Sequence, residues 1–165
     1  MKVLNALIGG LAGACAITVL HQVLKKKDEE APRMDLLGME SIKNVLDKLG
    51  IEQPEKGKLY YLTLGGDIAS NTLYYSLAGL GDDKTWLKGP ALGLAGGLGA
   101  VFLPKPLGLN PKHSNRTVKT QLLAVLYYFT GGVISSAVIK LLESQQNKGH
   151  NFSMKTLKDK LPQSL

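Results

Sequence analysis

The sequence predicts an all-α fold, an integral membrane four-helix bundle with an amphipathic surface helix between spans 1 and 2. Three observations predict it. Charged residues make up only 20% of the 165 residues, and they are bunched rather than spread. Met1 to Leu24 carries only Lys2, Leu59 to Gly81 carries only Asp67, and Gly89 to Leu103 carries none, while KKKDEE fills positions 25–30. The apolar stretches are close to the length of a membrane-spanning helix, and small residues recur in them at four-residue spacing, which brings helices close in lipid. The segregation places spans at about 3–24, 59–80, 86–104 and 120–142, a membrane domain at 1–145 and a polar basic tail at 146–165.

Val3 to Leu24 is about 22 residues, the length of a span. A cleaved signal peptide would have a shorter apolar core and a polar start after it, whereas AITVLHQVL follows the small residues here. Gly9 and Gly13, overlapped by Gly10 and Ala14, form two small-residue pairs on this helix. Cys15, the single cysteine, excludes an intrachain disulfide and reads as buried and inert among small apolar neighbours.

Lys25, Lys26 and Lys27 end the span, Pro32 breaks any continuation, and Asp35 stands where it would cap a new helix. Over 35–49, Leu36, Met39, Ile42, Val45, Leu46 and Leu49 follow helical spacing, and Gly50 terminates the pattern. This segment is too short and too polar to span, so it is expected on the membrane surface or against the bundle.

The second span, LYYLTLGGDIASNTLYYSLAGL, places Thr63, Asp67, Ser70, Asn71 and Tyr74 on one helical face. The third opens with Trp86 and Lys88 as interface anchors and carries the ladder Gly89, Gly93, Gly97. Its spacing is not that of a nucleotide-binding glycine loop. A basic loop with three prolines leads to the fourth span, where Gly131 and Ser135 repeat the small-residue pairing. In the tail, Phe152, Leu157 and Leu161 are spaced for a short amphipathic helix.

Four spans put the first and third loops on one side and both termini on the other. Lys and Arg number twelve in those two loops and eight on the opposite side, which predicts cytoplasmic loops and external termini. The net charge of +7 is thereby assigned to headgroup contact rather than nucleic acid, for which no motif is present.

An ionisable group inside a span is costly, so Asp67 is the first candidate for function. Entry depth brings His21, Asp67, Asn71, Tyr127, Tyr128 and Thr130 into the half of the bundle nearer the first loop. A lone carboxylate without a second charged partner makes a thin relay, so Asp67 reads as a polar lock before it reads as an active residue. No nucleophile elbow, no zinc-protease motif and no converging ligand set is present, so neither catalytic residue, metal nor cofactor is expected. The Tyr60–Tyr61 and Tyr74–Tyr75 pairs read as interface-belt anchors. The first functional reading is therefore a non-enzymatic structural or accessory subunit, with the bilayer, other membrane subunits or further copies of the chain as partners. The second is a small transporter or proton/cation pathway centred on Asp67. The third is a membrane-embedded lipid or quinone enzyme.

The layout resembles the YagU-like family of small bacterial inner-membrane proteins. The likeness is carried by the glycine- and alanine-rich first span, the Pro32-Arg33-Met34-Asp35 element, the polar-interrupted second span, and the loop with Pro104, Pro106, Gly108 and Pro111. It implies a four-helix bundle and a bacterial inner membrane, and no catalytic residue.

Overall fold

The structure, a computed structural model, describes residues 2–81 and 84–160, with side chains as far as Lys148. Among the described residues five α-helices follow one another: α1 (Lys2–Leu24), α2 (Met34–Lys48), α3 (Lys56–Ser76), α4 (Thr85–Phe102) and α5 (Val118–Lys160). Single 3-10 turns follow at Leu77–Gly79 and Pro111–His113. Among the described residues there is no strand.

The long helices pack in the order α3–α1–α5–α4, with α3 and α4 scarcely touching. Small residues set the spacing. A Cβ placed on Gly13 would lie 2.6 Å from the Gly131 carbonyl oxygen, and one on Gly97 would lie 2.6 Å from the Val125 Cα. Gly9 approaches the Ser135 carbonyl, Gly89 approaches Gly132 and Ser136, and Gly93 approaches Tyr128 and Phe129. Each expected packing glycine thus abuts backbone of a neighbouring helix of this same chain. Ser135 and Ser136 are fully buried, and their hydroxyls donate to the carbonyls of Tyr75 (3.3 Å) and Thr85 (2.7 Å).

The sidedness of α1 is the reverse of a water-soluble helix. Asn5, Gly9, Gly10, Gly13 and His21 face inward, while Val3, Leu4, Ile8, Leu11 and Val19 face outward. In α5, Gly131, Gly132, Ser135 and Ser136 are buried, and Leu122, Leu126 and Leu141 are exposed. By length and composition α1 and the apolar part of α5, Val118–Lys148, are long and apolar enough to cross a membrane. Only 39% of each apolar window is buried, whereas the core helix of a water-soluble protein would be mostly covered.

Three expectations change here. Cys15 is exposed, because it stands about 200° around the helix from the buried Gly13 and shares its face with Leu11 and Val19. Asp35 does not cap α2: Arg33 is the N-cap, no side chain caps it, and the Asp35 carboxylate is occupied by cations. Tyr74 and Tyr75 are not belt residues. Tyr75 is fully buried, its hydroxyl donates to the Tyr128 carbonyl (2.8 Å), and that of Tyr74 donates to the Leu92 carbonyl (2.8 Å).

The surface helix ends as expected, with Gly50 at φ +66 and Ile51 N–H donating to the Leu46 carbonyl at 2.9 Å, the six-to-one bond of a glycine C-cap. Helix α5 continues through position 146 without a break, so the tail extends the fourth long helix as far as Lys160. The amphipathic face expected of Phe152 and Leu157 falls where side chains are not described, and Leu161 lies outside the described residues.

At one end of the molecule the first and third loops are stitched together. Arg33 N–H donates to the His113 carbonyl (2.7 Å), Asn110 N–H donates to the Glu40 carboxylate, and Lys119 pairs with Asp28 at 2.8 Å. Arg116 donates to the Glu29 carbonyl, and Thr120 Oγ1 donates to the Glu30 carbonyl (2.8 Å).

Candidate functional site

Beneath that stitched end, α1, α2 and α3 enclose a cavity of about 200 Å³. At roughly 30 Å³ per water it holds a few water molecules. His21 comes from α1, Asp35 and Gly38 from α2, and Thr63, Asp67 and Asn71 from α3, with Tyr128 of α5 at the back. Thr63, Asp67 and Asn71 lie one turn apart, so the polar face of α3 is the cavity wall. Ser70, expected on the same face, is exposed and its hydroxyl returns to the Asp67 carbonyl (3.2 Å).

Helix α2 closes the cavity at Gly38. A Cβ there would lie 2.5 Å from Thr63 Cγ2 and 3.6 Å from both Asp67 carboxylate oxygens, so only glycine lets α2 lie this close to α3. The carboxylate of Asp67 receives no hydrogen bond or ion pair among the described residues. A partly buried carboxylate without a donor carries an uncompensated desolvation cost, which a bound cation or a proton removes.

At the rim, Asp35 is in the opposite condition. It accepts from Arg33 Nε (3.0 Å), Arg33 Nη2 (3.1 Å) and Lys25 Nζ (3.2 Å), with only 7% of its surface exposed. Burial pushes its pKa up, but the Arg33 hydrogen bonds and the charges of Lys25 and Arg33 prevail and hold it at about 2. The carboxylate is therefore ionised and compensated. His21 Nε2 accepts from the Met34 N–H (3.2 Å) and lies 3.8 Å from Asp35 Oδ1. A ring nitrogen that accepts carries no proton, so in this arrangement the imidazole is not doubly protonated. Gln22 Nε2 donates to the Tyr60 hydroxyl (2.8 Å), and the Lys25 ammonium stands 5.3 Å from the Tyr60 ring centre.

Of the expected polar cluster, the structure brings together His21, Asp67, Asn71 and Tyr128. It does not bring in Tyr127 or Thr130. Tyr127 is about 100° around α5 from Tyr128 and falls in the core cluster with Ile17 and Tyr75, its buried hydroxyl without a partner among the described residues. The Thr130 hydroxyl bonds back to the Leu126 carbonyl of its own helix (2.8 Å). The residue that sequence reasoning missed is Asp35, which it treated as a helix cap. Two signals pointed to it: Arg33 two residues before it, and a glycine at position 38 amid helical apolar spacing, the mark of a close approach.

Among the described residues no three His, Cys, Asp or Glu side chains converge on a metal-sized site. No family model, no curated protein and no solved structure matches the chain.

Proposed function

We propose that this is a non-enzymatic integral membrane protein whose four long helices cross the bilayer, and that its polar cavity takes up a cation, the proton included, at Asp67. The observation that carries the reading is the Asp67 carboxylate, which faces the cavity with no donor while every other acid on the wall is neutralised. Asn71 of α3 and Tyr128 of α5 line the same cavity and bring further oxygen ligands for a hydrated or partly dehydrated monovalent cation, whereas the Thr63 hydroxyl is bonded back to the Leu59 carbonyl (2.8 Å). The membrane placement is supported by the outward leucines and inward glycines and serines of α1 and α5. The 18 residues of α4 give a length of about 27 Å, close to the hydrocarbon thickness of a bilayer.

Most lining residues lie in the half nearer the first and third loops, with Asp67 and Asn71 at and just past the middle of α3, which favours a one-sided binding site over a passage. The twelve basic residues of those loops favour the inside for this end, with the termini outside. The resemblance to YagU-like proteins, and with it a bacterial inner membrane, belongs to the same proposal, since Met34 and Asp35 of its Pro32–Asp35 element line the cavity. The accessory-subunit reading loses part of its support, because the small-residue faces are filled within the chain.

A carbodiimide test addresses the site directly, because these reagents modify protonated carboxyls in apolar surroundings. The full chain in liposomes is expected to be labelled at Asp67, with sodium or raised pH protecting it and Asp67→Asn removing the label. Labelling of Asp67 that neither sodium nor pH alters would overturn the reading.

A further inference from the structure

A second cavity, of about 360 Å³, lies between α3 and α4, where those helices scarcely touch. Tyr74 and Tyr128 line it from within, Gly96 and Gly99 form its α4 wall, and Leu103 and Leu107 stand over it. Gly89, Gly93 and Gly97 press on the α5 backbone, and Gly96 makes room for the Tyr128 and Tyr74 rings (2.9 and 3.2 Å from an added Cβ), whereas a Cβ on Gly99 would meet only its own Leu103, so helix packing does not account for that glycine. The Tyr74 hydroxyl is already committed to the Leu92 carbonyl. Leu37, Leu109 and Tyr128 line both cavities, so an apolar groove and a carboxylate-bearing pocket share one wall.

We infer that the cation taken up at Asp67 is the head of an amphiphile, a long-chain organic ammonium whose hydrocarbon chain lies in the groove between α3 and α4. This rests on the proposed cation site and names its ligand class. Charge complementarity selects the head: the Asp35 charge is met by Arg33 and Lys25, leaving Asp67 as the acid to be neutralised, and an anionic lipid head would add repulsion. Tyr128 lines both the pocket and the groove, an aromatic ring of the kind that holds alkylammonium groups, while the Tyr60 ring already stands against the Lys25 ammonium. The groove supplies what an inorganic cation does not need, an apolar trough lined by small residues and leucine.

The experiment uses the full chain in a neutral detergent, with carbodiimide labelling of Asp67 read by mass spectrometry. Dodecyltrimethylammonium, tetramethylammonium and sodium are the protecting probes. Dodecyltrimethylammonium is expected to protect at a concentration roughly tenfold lower than tetramethylammonium, through burial of its chain. Gly99→Leu, which fills the groove, is expected to erase that difference while tetramethylammonium still protects; Ala95→Leu gives the same readout if Gly99→Leu does not fold. Equal protection by the two ammonium ions overturns this inference and leaves the cation site standing. A tenfold difference that survives in the groove variants also overturns it. Protection by none of the three probes overturns this inference, and overturns the cation site as well if raised pH also fails to protect.

Discussion

The two halves of the bundle are built from the same four helices and solve opposite problems. In the half near the termini, Gly9, Gly10 and Gly13 of α1 abut α5 and α3, Gly89 abuts α5, and serine hydroxyls are sealed against carbonyls. In the half near the first and third loops, α2 is laid across the opening, and α1 and α3 separate around a cavity with ionisable walls. The first half contributes contact and the second tolerates an unpartnered carboxylate. Stability is thus concentrated away from the site, as expected where a binding pocket carries a desolvation cost.

The sharpest way to break the contrast is to put bulk into the closed half. Gly13→Leu forces α1 off α5 and is expected to cost more than about 3 kcal/mol, read as loss of a folded, monodisperse species in mild detergent. A smaller effect is expected at the rim. Asp35→Asn leaves Arg33 and Lys25 without their acid, loosening α2 by on the order of 1–2 kcal/mol after discounting for the solvent that reaches Arg33. Faster amide exchange over residues 34–48, with exchange in α5 unchanged, is the expected signature.

Acid should reproduce that loss. The folded pKa of Asp35, about 2, lies below its ordinary value, so its contribution is complete above about pH 4 and disappears as pH falls through 2. A substitution to alanine at Gly38 is expected to shift α2 by less, costing about 1 kcal/mol, because the Cβ meets the Thr63 methyl. Amide exchange over the same segment measures it.

The smallest expected effect is on stability at Asp67 itself. Asp67→Asn removes no hydrogen bond among the described residues, so thermal stability in detergent should change by less than about 1 kcal/mol while cation protection is lost. A larger destabilisation would return Asp67 to the role of a polar lock. Cys15 sharpens the membrane side of the comparison. Facing outward beside Leu11 and Val19, it should react in liposomes with a lipid-soluble maleimide and resist a charged one.

Much of this arrangement is legible in the chain because it depends on local period and punctuation. The bounds of α2 follow from Pro32 and Gly50, and the inward faces of α1, α4 and α5 follow from small residues four apart, glycines in α1 and α4 and Gly131 with Ser135 in α5. The polar face of α3 follows from Thr63, Asp67 and Asn71 one turn apart. The failures share one cause. Depth along a helix is readable from sequence, whereas rotation about its axis is set by what it packs against. Tyr127 and Tyr128 have nearly the same depth, and only packing on α1 and α3 sends one to the core and the other to the cavity.

Asp35 is the clearest case. By sequence it is an acid at the start of a short helix, where a cap and an ion pair with the nearby Arg33 fit the same position. Its role depends on Lys25 reaching it from the end of α1, on His21 one turn earlier, and on α2 folding back over α3 at Gly38. The sequence by itself determined the helices, their small-residue seams and the buried acid of α3. The tertiary structure alone decided that this acid shares a pocket with a second, compensated one, because ion pairing between segments is fixed by how the chain returns on itself and not by residue spacing within any one helix.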